Sequence, residues 1–164
     1  MTDDVTAVSE DAVVAHIGDD AVTRALNLLG ERWTMLIMRG AFYGIRRYGG
    51  FVAALQIPRP TLSDRLGKLV EAGLLIRTRY AGGPIRSDYE YRLTEAGIAL
   101  FPAILVLMQW GDRYLADGRA TPRWIHVDCE QPTSPELACD HCAKPVTARN
   151  VRLAGPPHEP VVSP

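Results

Sequence analysis

Arg59-Pro60-Thr61-Leu62-Ser63-Asp64-Arg65-Leu66-Gly67-Lys68-Leu69-Val70-Glu71-Ala72-Gly73 is the stretch whose reading sets the fold. Leu62, Leu66, Leu69 and Val70 recur at helical spacing and make one apolar stripe, while Thr61, Ser63, Asp64, Arg65 and Lys68 fall outside it. Pro58 and Pro60 suit the entry to a helix, where a missing amide hydrogen costs nothing and φ is already set. Gly73 supplies the stop. The spacing predicts a helix from about Pro60 to Ala72 with a leucine face turned inward and a short, polar, cationic face turned outward.

Upstream, Val22, Leu26 and Leu29 share a stripe that Asp19 or Asp20 can cap and Gly30 ends. Trp33, Leu36 and Ile37 continue the helical period to Gly44. Arg46 to Leu55 reads as a short helix burying Phe51, Val52 and Leu55, with Gln56 and Ile57 as a tight connection to the next. Downstream of Gly73 the period falls toward two. Leu74, Ile76 and Thr78 lie on one side, with Leu75, Arg77 and Arg79 on the other. Ala81-Gly82-Gly83-Pro84 signals a turn, and Tyr89, Tyr91 and Leu93 alternate on a return strand. Thr94 and Glu95 then open a long apolar helix to about Leu115 that Pro102 kinks or restarts. Two short helices across a tight turn, followed by a basic hairpin, spell a winged helix-turn-helix: mainly α with a small β wing (α+β).

A chain of 164 residues, 47% hydrophobic and 23% charged, matches one compact globular domain. Its net charge of −1 is unevenly spread, −6 over residues 1–31, +7 over 32–92 and −2 over 93–164, so the cationic segment coincides with the helix-turn-helix. The acidic start lacks a basic leader and an apolar run, and the longest uncharged stretch, Ala96 to Gly111, falls short of the ~20 residues that span a bilayer. A cytoplasmic chain without membrane contact is expected. Four segments follow: a flexible acidic arm at 1–17, the winged helix-turn-helix and dimerisation domain at 18–115, a Cys/His-containing extension at 116–154 and a disordered tail at 155–164. No internal repeat is evident. A glycine-rich phosphate loop, a paired-carboxylate motif and a nucleophile elbow are all missing, which argues against an enzyme.

The charge pattern predicts a double-stranded DNA partner. On the outward helix face Arg59, Thr61, Ser63, Asp64, Arg65 and Lys68 can reach base edges, with Arg65 the foremost candidate for base readout. Arg46, Arg47, Arg79 and Arg86, with Arg77, suit phosphates. The alternative is a winged-helix protein-interaction module with a zinc-knuckle-like docking tail. Ile98, Phe101, Ile104, Leu107 and Trp110 leave the long C-terminal helix apolar nearly all round, so a homodimer is expected through it and the N-terminal helix. Trp33, Tyr43, Phe51 and Trp110 are candidates to line a cleft for a small-molecule effector, against the plainer reading of aromatic core. His126-x2-Cys129-x9-Cys139-x2-Cys142 offers four donors suited to a structural zinc. Free thiols, a thiol sensor and the competing ligand His141 are the other readings, and no cofactor is required.

Five segments in order, Ala25-Leu26-Asn27-Leu28-Leu29-Gly30-Glu31-Arg32-Trp33-Thr34, Arg47-Tyr48, Leu62-Ser63-Asp64-Arg65-Leu66, Glu71-Ala72-Gly73-Leu74 and Tyr91-Arg92-Leu93-Thr94-Glu95-Ala96-Gly97, resemble the signature of HxlR-type transcriptional regulators, over about residues 18–115. The resemblance implies a homodimeric, MarR-related winged-helix protein that acts as a repressor or activator of transcription. Members usually begin this domain with a cysteine-proline pair, which in some senses oxidants. Gly18-Asp19-Asp20 stands there instead, so no redox switch is expected at that point.

Overall fold

The computed structural model describes residues 20–79, 89–115 and 122–152. Residues 21–135 form one compact unit, and residues 136–152 belong to a second, taken up by itself below. The first contains helices α1 (Ala21–Leu29), α2 (Arg32–Phe42), α3 (Tyr48–Leu55) and α4 (Arg59–Glu71), strands β1 (Leu75–Arg79) and β2 (Tyr89–Leu93), helices α5 (Glu95–Ala99) and α6 (Phe101–Tyr114), and the two-residue strands β3 (Ile125–His126) and β4 (Gln131–Pro132). The order is that of a winged helix-turn-helix. The acidic arm, the Ala81–Pro84 turn, Arg86 and the 155–164 tail lie outside the described residues.

The core shows why the leucine spacing matters. Leu62, Leu66 and Leu69 are sealed against Ile37 and Met38 of α2, Phe51 of α3, Ile57 of the connecting turn, Leu75 of β1 and Ile104 of α6. Removal from water is worth roughly 1.5–3 kcal/mol for each such side chain, so this cluster fixes where α4 sits. α1 contrasts with it, having the expected period but no buried residue.

Both ends of α4 are set by backbone chemistry. Before it, Gln56 caps α3 at φ 51°, donating its N–H to the Val52 carbonyl at 2.9 Å. That left-handed conformation costs a non-glycine residue about 1 kcal/mol. After it, Gly73 at φ 70° donates to the Val70 carbonyl at 3.0 Å and Leu74 to the Leu69 carbonyl at 3.0 Å, a Schellman stop.

The wing pairs Leu75 with Leu93 through to Arg79 with Tyr89, antiparallel. The expected helix from Arg46 starts instead at Tyr48. Tyr91 donates its N–H to the Arg46 carbonyl at 2.8 Å and Arg47 bridges Glu90, so these two arginines lengthen the wing sheet rather than α3. The expected long C-terminal helix is two, α5 and α6, joined at Leu100 with Pro102 in the first turn of α6. α5 is tied to the end of the Schellman turn. Thr94 Oγ1 donates to the Gly73 carbonyl at 2.5 Å and accepts the Gly97 N–H at 3.0 Å, and a Cβ on Gly97 would overlap the Leu74 carbonyl oxygen.

Candidate nucleic-acid interface

With its leucines sealed inside, α4 turns a polar face to solvent. Arg59, Ser63, Asp64 and Lys68 are exposed and Thr61 is half-buried. No acidic residue stands in its first turn, so the positive end of the helix dipole is uncompensated beside Arg59. Asp64 Oδ2 lies 3.1 Å from Lys68 Nζ one turn on, a pair open to water and worth little to stability.

Arg65 departs from the expectation of an outward base reader. Its side chain is only 19% exposed, with Nη2 3.4 Å from Glu31 Oε2 and Nε 3.6 Å from Asp64 Oδ2. Glu31 immediately precedes α2, so the Arg65 guanidinium braces α4 against the neighbouring helix. Tyr48, quoted only as part of a motif, has a positioning role that periodicity does not reveal. Its hydroxyl donates to the Arg59 carbonyl at 2.8 Å and lies 3.1 Å from Ser63 Oγ, clamping the start of α4 onto α3.

Around α4 the wing supplies further cations. Arg46, Arg47, Arg77 and Arg79 are exposed. Arg77 stacks over the Tyr89 ring, 3.7 Å from its centroid, which pre-orders one guanidinium along the strands. Glu90, opposite Thr78, is buried and ion-paired to Arg92.

The four aromatics expected to line a cleft are dispersed. Phe51 is sealed in the core and Trp33 packs against it, whereas Tyr43 and Trp110 are exposed. A cleft of about 410 Å³ instead lies against α6, lined by Leu105, Met108, Gln109, Trp124 and Pro132 among others, and by none of those four. Trp124 reaches it by stacking on Phe101 (4.9 Å between centroids) and Tyr43 (5.4 Å), and its Nε1 is buried without a hydrogen-bond partner.

The His/Cys donors occur as two pairs. His126 Nδ1 lies 3.4 Å from Cys129 Sγ, both exposed. In the second unit the backbone N–H groups of Cys142 and then His141 hydrogen-bond to the Cys139 sulfur and hold its thiol below the usual range. Among the described residues, no three His, Cys, Asp or Glu side chains are gathered as a metal site would gather them. Among those residues, too, no helix is long and apolar enough to cross a membrane.

Comparison with known proteins agrees with this geometry. The HxlR-like helix-turn-helix family model matches residues 28–119. An uncharacterized HTH-type transcriptional regulator of Mycobacterium tuberculosis is 54% identical over 133 residues, covering 80% of this chain and 83% of that protein. Another from Bacillus subtilis, YvaP, is 31% identical over 93 residues, 56% of this chain and 84% of that one. Among solved structures, the candidate transcription factor PA1607 superposes with a TM-score of 0.74 at 34% identity, covering 84% of this chain and 96% of its own. A second candidate transcription factor, from Pseudomonas aeruginosa, gives 0.58 at 31% identity, covering 84% and 93%. The chain belongs to the HxlR-like helix-turn-helix family and is a DNA-binding transcriptional regulator of that type.

Proposed function

We propose that the chain acts as a homodimer that recognises a near-palindromic operator. α4 of each copy enters the major groove, and the arginines of β1 and of residues 46–47 lie along the flanking phosphates. One observation carries this reading: α4 is divided into a sealed leucine face and a solvent face bearing Arg59, Ser63, Asp64 and Lys68, held in place by Tyr48 and Arg65. Arg65 acts as a brace in this reading, and base contacts fall to Arg59, Ser63, Asp64 and Lys68.

The dimer is supported by apolar side chains left in water on α1 and α6. Val22, Leu26, Leu107, Trp110 and Tyr114 are each more than half exposed. Within each helix they fall three or four positions apart and so form an apolar stripe of the kind that marks an interaction surface. An effector, if the protein responds to one, enters the cleft at Trp124, where a buried indole N–H is without a partner. The name HTH-type transcriptional regulator carried by the relatives favours DNA over a protein as the target of the charged face.

Titration of the purified protein with duplex from upstream of its own gene and with scrambled duplex, at several salt concentrations, tests the reading. Affinity should fall steeply with salt, log K dropping by about 0.9 per log salt for each phosphate neutralised, and the upstream duplex should bind at least ~10³-fold tighter. A salt-independent affinity, or equal affinity for both duplexes, contradicts it.

A further inference from the structure

The backbone contains a repeat that the side-chain sequence hides. In residues 124–133, Ile125 pairs with Pro132, Thr133 donates its N–H to the Trp124 carbonyl at 2.8 Å, Glu130 donates to the His126 carbonyl at 2.8 Å, and Glu130 is left-handed at φ 56°. Thirteen positions on, in residues 137–146 of the second unit, Ala138 pairs with Pro145, Val146 donates to the Leu137 carbonyl at 2.7 Å, Ala143 donates to the Cys139 carbonyl at 2.8 Å, and Ala143 is left-handed at φ 55°. Every hydrogen bond of the first hairpin has its counterpart in the second. His126 and Cys129 of the one occupy the places of Cys139 and Cys142 of the other.

Hairpins this small bury no core. Ile125, Val127 and Leu137 are all more than half exposed. The repeated left-handed residue is also costly, because neither Glu130 nor Ala143 is glycine. What the two tips have in common is a pair of soft or borderline donors separated by two residues on a turn, His126 and Cys129 in one and Cys139 and Cys142 in the other. Nitrogen and sulfur donors at x2 spacing select Zn²⁺ over Mg²⁺ or Ca²⁺, and each tip supplies two of the donors such an ion takes.

We propose that the two tips are metal knuckles, His126 with Cys129 and Cys139 with Cys142 each presenting two donors to Zn²⁺. Bound metal then supplies the order that the missing core cannot. The test uses the full chain without an affinity tag, purified without chelators, with zinc measured by elemental analysis and its sites probed by Co²⁺ substitution. The expected result is at least about one zinc per chain and a tetrahedral cobalt spectrum with thiolate charge-transfer bands. Cys129→Ser and Cys142→Ser should each lose metal while retaining the helical circular dichroism of the remainder. Because a variant tail can misfold for other reasons, the native chain is also titrated with a thiol reagent before and after chelation. Thiols that become reactive only after chelation support the proposal. Zinc near zero, full retention of zinc by either variant, or equal thiol reactivity with and without chelator overturns it.

Discussion

α1 and α4 have the same kind of apolar stripe and opposite fates. Leu62, Leu66 and Leu69 of α4 are at most 1% exposed, whereas Leu26 of α1 is 59% and Val22 63% exposed. Periodicity says that a helix has an apolar face and is silent on what covers it. For α4 the cover is α2, α3, β1 and α6 of the same chain. For α1 the cover proposed above is a second copy, which the exposed Trp110 and Tyr114 of α6 also await. Under that proposal one stripe reports on folding and the other on assembly, and variants at each should move different observables.

The largest expected effect is on the covered stripe. Leu66→Ala should lower the free energy of unfolding by about 3 kcal/mol in denaturant melts, since it opens a cavity in a sealed core. Leu26→Ala, measured on dilute protein, should lower it by less than about 1 kcal/mol. Equal losses would erase the distinction. Next comes the buttress behind the end of α4: Gly97→Ala should cost about 2 kcal/mol, because the added methyl meets the Leu74 carbonyl, and calorimetry would register the fall in Tm. On the uncovered stripe, Leu26→Glu should weaken self-association at least about tenfold, or ~1.4 kcal/mol, with little change in far-ultraviolet circular dichroism. Sedimentation would then follow the mass toward the 18.0 kDa of one chain. An unchanged mass places the dimer contact elsewhere.

On the outer face of α4, Arg59→Ala and Lys68→Ala should weaken duplex binding by about 1 kcal/mol. A variant that loses a phosphate contact should also flatten the salt slope by about 1. Arg65→Ala should show itself in thermal stability and leave discrimination between upstream and scrambled duplex intact. Smallest is Gln56→Gly, which relieves the left-handed strain in the turn before α4 and should raise stability by about 0.5 kcal/mol in the same denaturant melts.

The sequence made legible what depends on local spacing. The leucine face of α4, the Gly73 stop, the hairpin wing and the break at Pro102 each follow from residues a few positions apart. Partners chosen across the fold were not legible. Arg65 could point to solvent or to Glu31, and only the packing of α4 on α2 decides. Tyr48 reads as a half-buried aromatic until its hydroxyl meets the Arg59 carbonyl. The helix beginning was misplaced at Arg46 because the wing claims the Arg46 and Arg47 backbone, a pairing with residues more than forty positions away. The aromatic cleft failed for a related reason, since Phe51 at helical spacing went to the core. The thirteen-residue repeat was missed because it lies in carbonyls, amides and φ angles, while the side chains on it, Trp124 against Leu137 and His126 against Cys139, have diverged.

The claim on which the rest depends is that two copies of α4 present their polar faces to one side of a duplex. Hydroxyl-radical footprinting of the upstream duplex measures this directly. The account predicts two protected patches about 10 base pairs apart, centre to centre, on the same face of the helix, both lost in Leu26→Glu at concentrations where that variant is monomeric. A single patch that survives in that variant, or protection spread evenly along the duplex, would contradict it.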